Sequence, residues 1–156
     1  MTDEKTKARG RTALRKACDG GLGYACSDLA SQLESAGNEG SGLDDAGKKE
    51  AAGLYEKACA SGIRNACDSA ANYFGNDYEN PLFDRKKAIA MELKACEMGS
   101  EDACRGVPDL ERGAIAEGAS PTTEQLVRWQ GFRKRACEIG SSYSCESMLA
   151  EQLSTP

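Results

Sequence analysis

Apolar residues recur along this chain at helical spacing, in segments that short glycine-containing breaks separate. One segment places apolar residues at intervals of four, one and three, at Ala25, Leu29, Ala30 and Leu33. This is the spacing of the inner face of an amphipathic helix. A similar segment precedes it over 11–18, and glycines lie between the two. The pattern therefore predicts pairs of helices joined by tight turns, and an all-α fold.

One short frame recurs four times and contains all eight cysteines. It reads basic residue, Ala, Cys, two residues, Gly, three residues, Ala or Ser, Cys, and its copies are 16–26, 57–67, 94–104 and 135–145. The first cysteines lie 41, 37 and 41 residues apart. The period is thus about 37 residues, with extra residues in two connectors, which is typical of a stacked array of repeats.

In each copy of the frame a glycine follows the first cysteine by three residues. These glycines are Gly21, Gly62, Gly99 and Gly140. A residue in the left-handed conformation commonly ends a helix, and glycine adopts that conformation without steric cost. Each frame is therefore predicted to be the hinge of one hairpin, in which a first helix ends and a second begins.

The expected domain organisation is simple. Residues 1–10 are polar and charged, and we expect a flexible N-terminus, followed by a single domain over 11–156. The repeats are expected at about 11–42, 47–80, 84–118 and 122–153. In the third repeat, Gly106 and Pro108 fall in the predicted second helix, where a proline is expected to shorten or kink it.

Composition excludes several classes of protein. Hydrophobic residues make up 40% and charged residues 29% of the 156 positions, which is unlike both a wholly disordered chain and a membrane protein. No apolar run approaches the length that spans a bilayer. The formal charge of -5 argues against a general nucleic-acid binder, which needs a basic field to displace phosphate counterions. We expect no nucleic-acid partner and no membrane-spanning segment.

Eight cysteines in four equivalent pairs favour disulfides formed in an oxidising compartment. One pairing rule applied to every copy joins Cys18 with Cys26, Cys59 with Cys67, Cys96 with Cys104, and Cys137 with Cys145. Buried reduced thiols remain an alternative. Zinc ligation is a weaker one, because zinc ligands usually lie two to four residues apart and the chain has no histidine. No metal and no cofactor are expected.

The first ten residues are charged and lack the apolar segment of a signal peptide. Oxidised cysteines nevertheless predict an exported protein, periplasmic or secreted, whose native leader has been removed. A cytosolic origin remains the alternative.

One position of the first helix, four residues before the first cysteine, changes character in every repeat. It is occupied by Leu14, Tyr55, Glu92 and Arg133. In helical-hairpin arrays the first helices generally line the concave side, where such variation is expected of a binding face. An exposed face without a role would also vary. Trp129 and Phe132 are candidate apolar anchors if they are exposed there.

A basic residue stands two positions before each first cysteine and forms a basic ladder, Lys16, Lys57, Lys94 and Arg135. One interpretation is local, because cations in the last turn of a helix meet its negative end. The other is functional, since a row of cations across the array would receive an acidic partner or a small anion.

The frame Lys-Ala-Cys, Gly, Ala-Cys in helical hairpins resembles the Sel-1-like repeat family, most closely its disulfide-rich bacterial branch, the Helicobacter cysteine-rich proteins. The resemblance covers about 11–153. It implies an α/α superhelical solenoid related to tetratricopeptide repeats, with one disulfide per repeat and export from a bacterial cell. Members of the family usually act as adaptors that hold other proteins. Some cysteine-rich members bind or slowly hydrolyse penicillins, and others resemble immunity partners of secreted toxins.

The leading hypothesis is a non-enzymatic protein–protein interaction module, an adaptor or an immunity or inhibitor-type binder. Its partner would be another protein, such as a basic effector or an envelope protein. No catalytic residues are predicted, because there is no histidine to act as a base and no phosphate-cradling glycine motif. The alternative, weak penicillin binding or β-lactamase-like activity, comes from the resemblance alone. The chain has no Ser-x-x-Lys, Ser-Asp-Asn or Lys-Thr-Gly motif for it.

Overall fold

The computed structural model describes residues 4–38, 42–75 and 79–153. These residues form helices and no strands, so the prediction of an all-α fold is confirmed. Among them, no helix combines the length and apolar character needed to cross a membrane. The helices are α1 Glu4–Asp19, α2 Gly23–Asn38, α3 Asp45–Ala60, α4 Arg64–Gly75, α5 Arg85–Glu97, α6 Glu101–Arg112, α7 Thr123–Ile139 and α8 Ser142–Leu153.

The turns between α1 and α2, α3 and α4, α5 and α6, and α7 and α8 share one hydrogen-bond pattern. In the first, the N–H of Leu22 donates to the carbonyl of Ala17 at 3.0 Å. The N–H of Gly21 donates to the carbonyl of Cys18 at 2.9 Å. This is a Schellman motif, and it recurs in the other three turns. The turn glycines have φ values of 92°, 88°, 89° and 128°, which confirms the predicted left-handed residues.

A disulfide spans each turn, from the end of the first helix to the start of the second. The bridges are Cys18–Cys26, Cys59–Cys67, Cys96–Cys104 and Cys137–Cys145. These are the pairs that the repeated frame predicts, and their Cα atoms lie 4.6 to 4.8 Å apart. None of the eight cysteines is free. Because a cystine sulfur is not a thiolate, these residues are not available as zinc ligands.

Consecutive helices pack against each other along the whole chain. First helices that follow each other also meet. Lys57 of α3 forms an ion pair of 3.3 Å with Asp19 of α1, Lys87 of α5 forms one of 2.7 Å with Glu56 of α3, and α5 and α7 line one groove. The second helices do the same. Tyr73 of α4 donates to Glu34 of α2 at 2.7 Å. The first helices and the second helices therefore lie on two different sides of the hairpins.

Small side chains build most of the core. Three of the four alanines that precede the first cysteines, Ala58, Ala95 and Ala136, have no exposed surface. Ala95 and Ala136 lie in a cluster that also contains four of the eight cysteines, Cys59, Cys67, Cys96 and Cys104. Leu29 and Trp129 are the largest of the fully buried side chains. Because alanine lets helix backbones approach closely, the hairpins pack with few large aromatic residues in the core, among them Tyr55, Phe74 and Trp129.

The structure bears on two expectations about local structure. The helix α1 begins at Glu4, so residues 4–10 of the expected flexible N-terminus are helical, while their flexibility stays a prediction; residues 1–3 lie outside the described part of the chain. The expected shortening of α6 is wrong. The helix α6 runs for 12 residues with Pro108 inside it, as long as α4 and α8. Proline removes one backbone donor, but Val107 and Pro108 lie on the buried face of α6, and this packing keeps the helix at full length.

Candidate functional site

A groove of about 550 Å³ lies between α5 and α7, the first helices of the third and fourth hairpins. We call it the α5–α7 groove. The α5 wall consists of Leu93, Cys96 and Glu97, and the α7 wall of Arg128, Gly131, Phe132 and Arg135. On both helices these positions are spaced three and one residues apart in turn, which places them on one face of each helix. The groove thus combines apolar surface with two guanidinium groups and one carboxylate.

Arg128 forms an ion pair with Glu111. Its guanidinium lies 2.9 Å from Glu111 Oε1, and the Glu111 side chain is only 16% exposed. The same guanidinium lies 5.7 Å from the centre of the Phe132 ring, within the range of a cation–π interaction. These two contacts position Arg128 along one wall of the groove.

Arg135 differs from Arg128, because it is exposed and forms no ion pair with any residue that the structure describes. Glu97 lies on the opposite wall. Gly131 leaves the middle of the α7 wall open, since a Cβ atom at this position would meet no atom within 4 Å. The groove therefore has room for a side chain from another molecule, next to the exposed Arg135 guanidinium.

The predicted binding position four residues before the first cysteine does not line this groove. Tyr55 is buried and donates to Glu34 Oε2 at 2.7 Å. Leu14 packs against the core, and Arg133 is half-buried. Glu92 is also partly buried and faces Gly106 of α6. Tyr55 is therefore not exposed to a partner, whereas the binding role of Leu14, Glu92 and Arg133 stays a prediction.

Helix geometry explains why this position faces inward. Residues four apart lie on the same face of a helix, and the first cysteine of each frame faces the second helix through its disulfide. The residue one turn earlier therefore also faces the second helix. The groove-lining residues of α7 lie at other offsets from Cys137, on the face that meets α5.

The two aromatic anchor candidates, Trp129 and Phe132, differ in burial. Trp129 is 2% exposed, and its indole N–H donates to Glu111 Oε2 at 2.7 Å. It fills the core and is wrong as an anchor. Phe132 is half-buried and lines the α5–α7 groove, where part of its ring faces open space.

The basic ladder is arranged across the first helices. Lys57 forms an ion pair of 3.3 Å with Asp19, the residue after the first cysteine of the preceding repeat. The residue in the position of Asp19 is Ala60 in the repeat before Lys94, and Glu97 in the repeat before Arg135. Lys16, Lys94 and Arg135 form no ion pair with a described residue. Both interpretations of the basic ladder, helix-end stabilisation and anion binding, stay predictions. Arg135 is the ladder residue that lines the α5–α7 groove.

Charge is divided between the two sets of helices. The first helices α1, α3, α5 and α7 carry 17 of the 20 lysines and arginines, against nine acidic residues. The second helices carry three basic and nine acidic residues. A protein of net charge -5 thus has a basic side. Neither this division nor the role of Arg128 was predicted from the sequence. A count of charges for each predicted helix reveals the division.

A second depression, of about 270 Å³, lies where α4 meets the turn between α5 and α6. Asp68 and Ser100 both line it, and the Ser100 hydroxyl donates to Asp68 Oδ1 at 3.0 Å. The same hydroxyl oxygen accepts from the N–H of Ala103 at 3.3 Å and caps α6. Burial raises the pKa of Asp68, which the Ser100 hydrogen bond partly opposes. Both partners of this pair therefore already have structural roles.

Among the described residues, no group of three acidic, cysteine or histidine side chains could hold a metal ion. Comparison with known proteins adds no identity: no model of a protein family matches this chain, and no curated protein matches it.

Proposed function

We propose that this chain is a non-enzymatic protein-binding module of four Sel-1-like hairpins stacked as an α/α solenoid. It acts as an adaptor or as an immunity or inhibitor-type binder, in the bacterial envelope or the secreted space. The observation that carries the proposal is the α5–α7 groove, on the basic side of the molecule. There Arg135, which has no ion pair with a described residue, and the half-buried Phe132 face open space. Positive charge next to a partly exposed aromatic ring is a common composition of protein interfaces.

The disulfides support the proposed compartment. Each hairpin has its own bridge, and no cysteine is left as a thiol. Bridges of this number form and persist in oxidising environments. The hydrogen bonds of two partly buried carboxylates support a structural role for these groups rather than a catalytic one. Glu34 accepts from two tyrosines and Glu111 accepts from Trp129.

The proposal is tested by capture of a partner. The oxidised protein is immobilised and exposed to an envelope extract of the organism that encodes it, and a reduced and alkylated sample serves as the control. We expect a protein to be retained by the oxidised form alone, and to bind purified oxidised protein in calorimetry. Failure of every retained protein to bind in calorimetry would contradict the proposed function.

The alternative function, penicillin hydrolysis, can be tested at Ser100. Ser100 is the serine that pairs with a carboxylate beside a depression, so chemistry by a serine nucleophile would be expected there. Because its hydroxyl is already engaged as a helix cap, we expect negligible turnover of a chromogenic cephalosporin. A rate that survives purification and disappears in Ser100→Ala, but not in Ser61→Ala, would reverse this ranking.

A further inference from the structure

We propose that the α5–α7 groove binds an acidic segment of a partner protein, with Arg135 and Arg128 facing its carboxylates and Phe132 and Leu93 contacting an apolar side chain. The inference rests on the proposed function and specifies the chemistry of the partner. It differs from the basic partner that the net charge of the chain suggests.

The local charge of the groove argues for an acidic occupant. Its walls carry two guanidinium groups and one carboxylate, and both helices that form it have more basic than acidic residues. Screening limits exposed charges to a range of about 8–10 Å at physiological salt. A ligand in the groove therefore responds to these residues rather than to the net charge of -5.

The two arginines have different roles in this site. Arg128 is already paired with Glu111 and rests near the Phe132 ring, so it is pre-positioned and its charge is partly compensated. Arg135 is exposed without an ion pair to a described residue. An incoming carboxylate would therefore gain most from Arg135, which can form a bidentate pair with it.

A short protein segment fits the groove better than a long polyanion or a lipid surface. Glu97 stands on the wall opposite Arg135 and would repel a continuous row of phosphates. Nine acidic residues on the second helices would repel a polyanion that extends beyond the first helices. The apolar surface of Leu93 and Phe132 needs an apolar side chain, which a peptide supplies next to its carboxylates.

The test uses a short fluorescein-labelled peptide in which glutamates flank a single leucine, with glutamine and lysine versions as controls. Binding is measured by fluorescence anisotropy at low and physiological salt. We expect Arg135→Glu to weaken binding of the acidic peptide about tenfold or more. The matched control is Lys134→Glu, the same reversal of charge on the same helix at a residue that does not line the groove. It is expected to alter binding by less than about twofold.

A second pair of variants blocks the groove without changing charge. Gly131→Trp places a large side chain where a Cβ atom meets nothing within 4 Å, and Gly53→Trp makes the same change at the equivalent position of the second repeat. We expect Gly131→Trp to abolish peptide binding and Gly53→Trp to leave it unchanged. Circular dichroism shows whether both variants keep their helical content.

Several results would overturn the inference. Equal losses in Arg135→Glu and Lys134→Glu would indicate unspecific attraction, and tight binding of the glutamine or lysine peptide would exclude recognition of carboxylates. Binding of heparin or phosphatidylglycerol vesicles in place of the peptide would assign the groove to another anion. Self-association that Arg135→Glu abolishes would assign it to a second copy of the chain. If a captured partner binds Gly131→Trp as well as it binds the unchanged protein, this inference fails while the proposed function stands.

Discussion

Glu92 is a partly buried acidic residue that faces two other carboxylates, Asp68 and Asp102. One of its carboxylate oxygens is shielded from solvent and has no hydrogen-bond partner among the described residues. Gly106 leaves room for this group, since a Cβ atom there would lie 3.1 Å from Glu92 Oε1. Burial raises the pKa of Glu92 to about 7, and the carboxylates of Asp68 from α4 and Asp102 from α6 add to the effect.

This environment predicts a dependence of stability on pH. The pKa of Glu92 in the unfolded chain is about 4.3, so between that pH and about 7 the folded state binds more protons than the unfolded state. The free energy of unfolding therefore falls as pH rises through this window. Glu92→Gln is expected to remove that loss and to stabilise the protein at alkaline pH by on the order of 1–2 kcal/mol.

Urea unfolding at acidic, neutral and alkaline pH measures this effect. The control is Glu97→Gln, which removes an exposed carboxylate from the same helix and should leave the pH profile unchanged. An identical pH profile for Glu92→Gln and the unchanged protein would show that Glu92 is not the titrating group.

At the scale of elements, one residue in each turn serves two helices. In the third hairpin it is Ser100, whose N–H closes the Schellman motif of α5 and whose carbonyl accepts from Cys104 at the start of α6. Its hydroxyl also caps α6. In the first hairpin the same position is Leu22, which is 55% exposed and has no side-chain acceptor. The backbone roles are the same, but the side-chain cap is missing.

Leu22→Ser is therefore expected to stabilise the protein by about 0.5–1 kcal/mol, the usual contribution of an N-cap side chain. Leu22→Ala removes the same apolar surface without supplying an acceptor, so the difference between the two variants isolates the hydroxyl. Thermal unfolding of both under oxidising conditions measures it. A serine variant no more stable than the alanine variant would show that the turn does not place the hydroxyl correctly.

At the scale of the whole molecule, four cross-links stabilise a core of small side chains. Each bridge closes a loop of about nine residues, worth roughly 2–3 kcal/mol in the chain-entropy model. Cys59 and Cys67 are almost fully buried, whereas Cys137 and Cys145 are partly exposed. The disulfides of the second and fourth hairpins thus differ in how deeply they are buried.

We expect replacement of Cys137 and Cys145 by alanine to cost about 2–3 kcal/mol, the loop-closure contribution alone. Replacement of Cys59 and Cys67 should cost more, by about 1–2 kcal/mol, because it also leaves cavities in the core. Chemical unfolding of both double variants compares the costs, and thiol titration of the denatured, unreduced protein should detect no free thiol. Equal costs would mean that the core relaxes around the missing sulfurs.

The division of charge also belongs to the scale of the molecule. It depends on which helices come together, because the first helices contact one another and the second helices do the same. Charges that look scattered along the sequence thereby collect on two sides. An acidic protein can in this way offer a basic surface to a partner.

Sequence alone determined the hinges. The left-handed glycines, the paired helices and the cystine pairing follow from interactions between residues no more than eight positions apart. Such interactions are local, so their chemistry can be read from a repeated frame. The same local reasoning overestimated Pro108, because the packing of α6 outweighs the loss of one backbone donor.

Tertiary structure alone decided which residues face the groove and which face the core. Tyr55 and Trp129 are buried, while Arg135 and Phe132 face open space, although all four lie on first helices. Glu92 meets Asp68 and Asp102 across three helices. These contacts join distant parts of the chain, and they depend on the rotation of each helix about its axis and on the angle at which it packs. Neither quantity is encoded in a single repeat, because both are set by the sum of contacts between neighbouring hairpins.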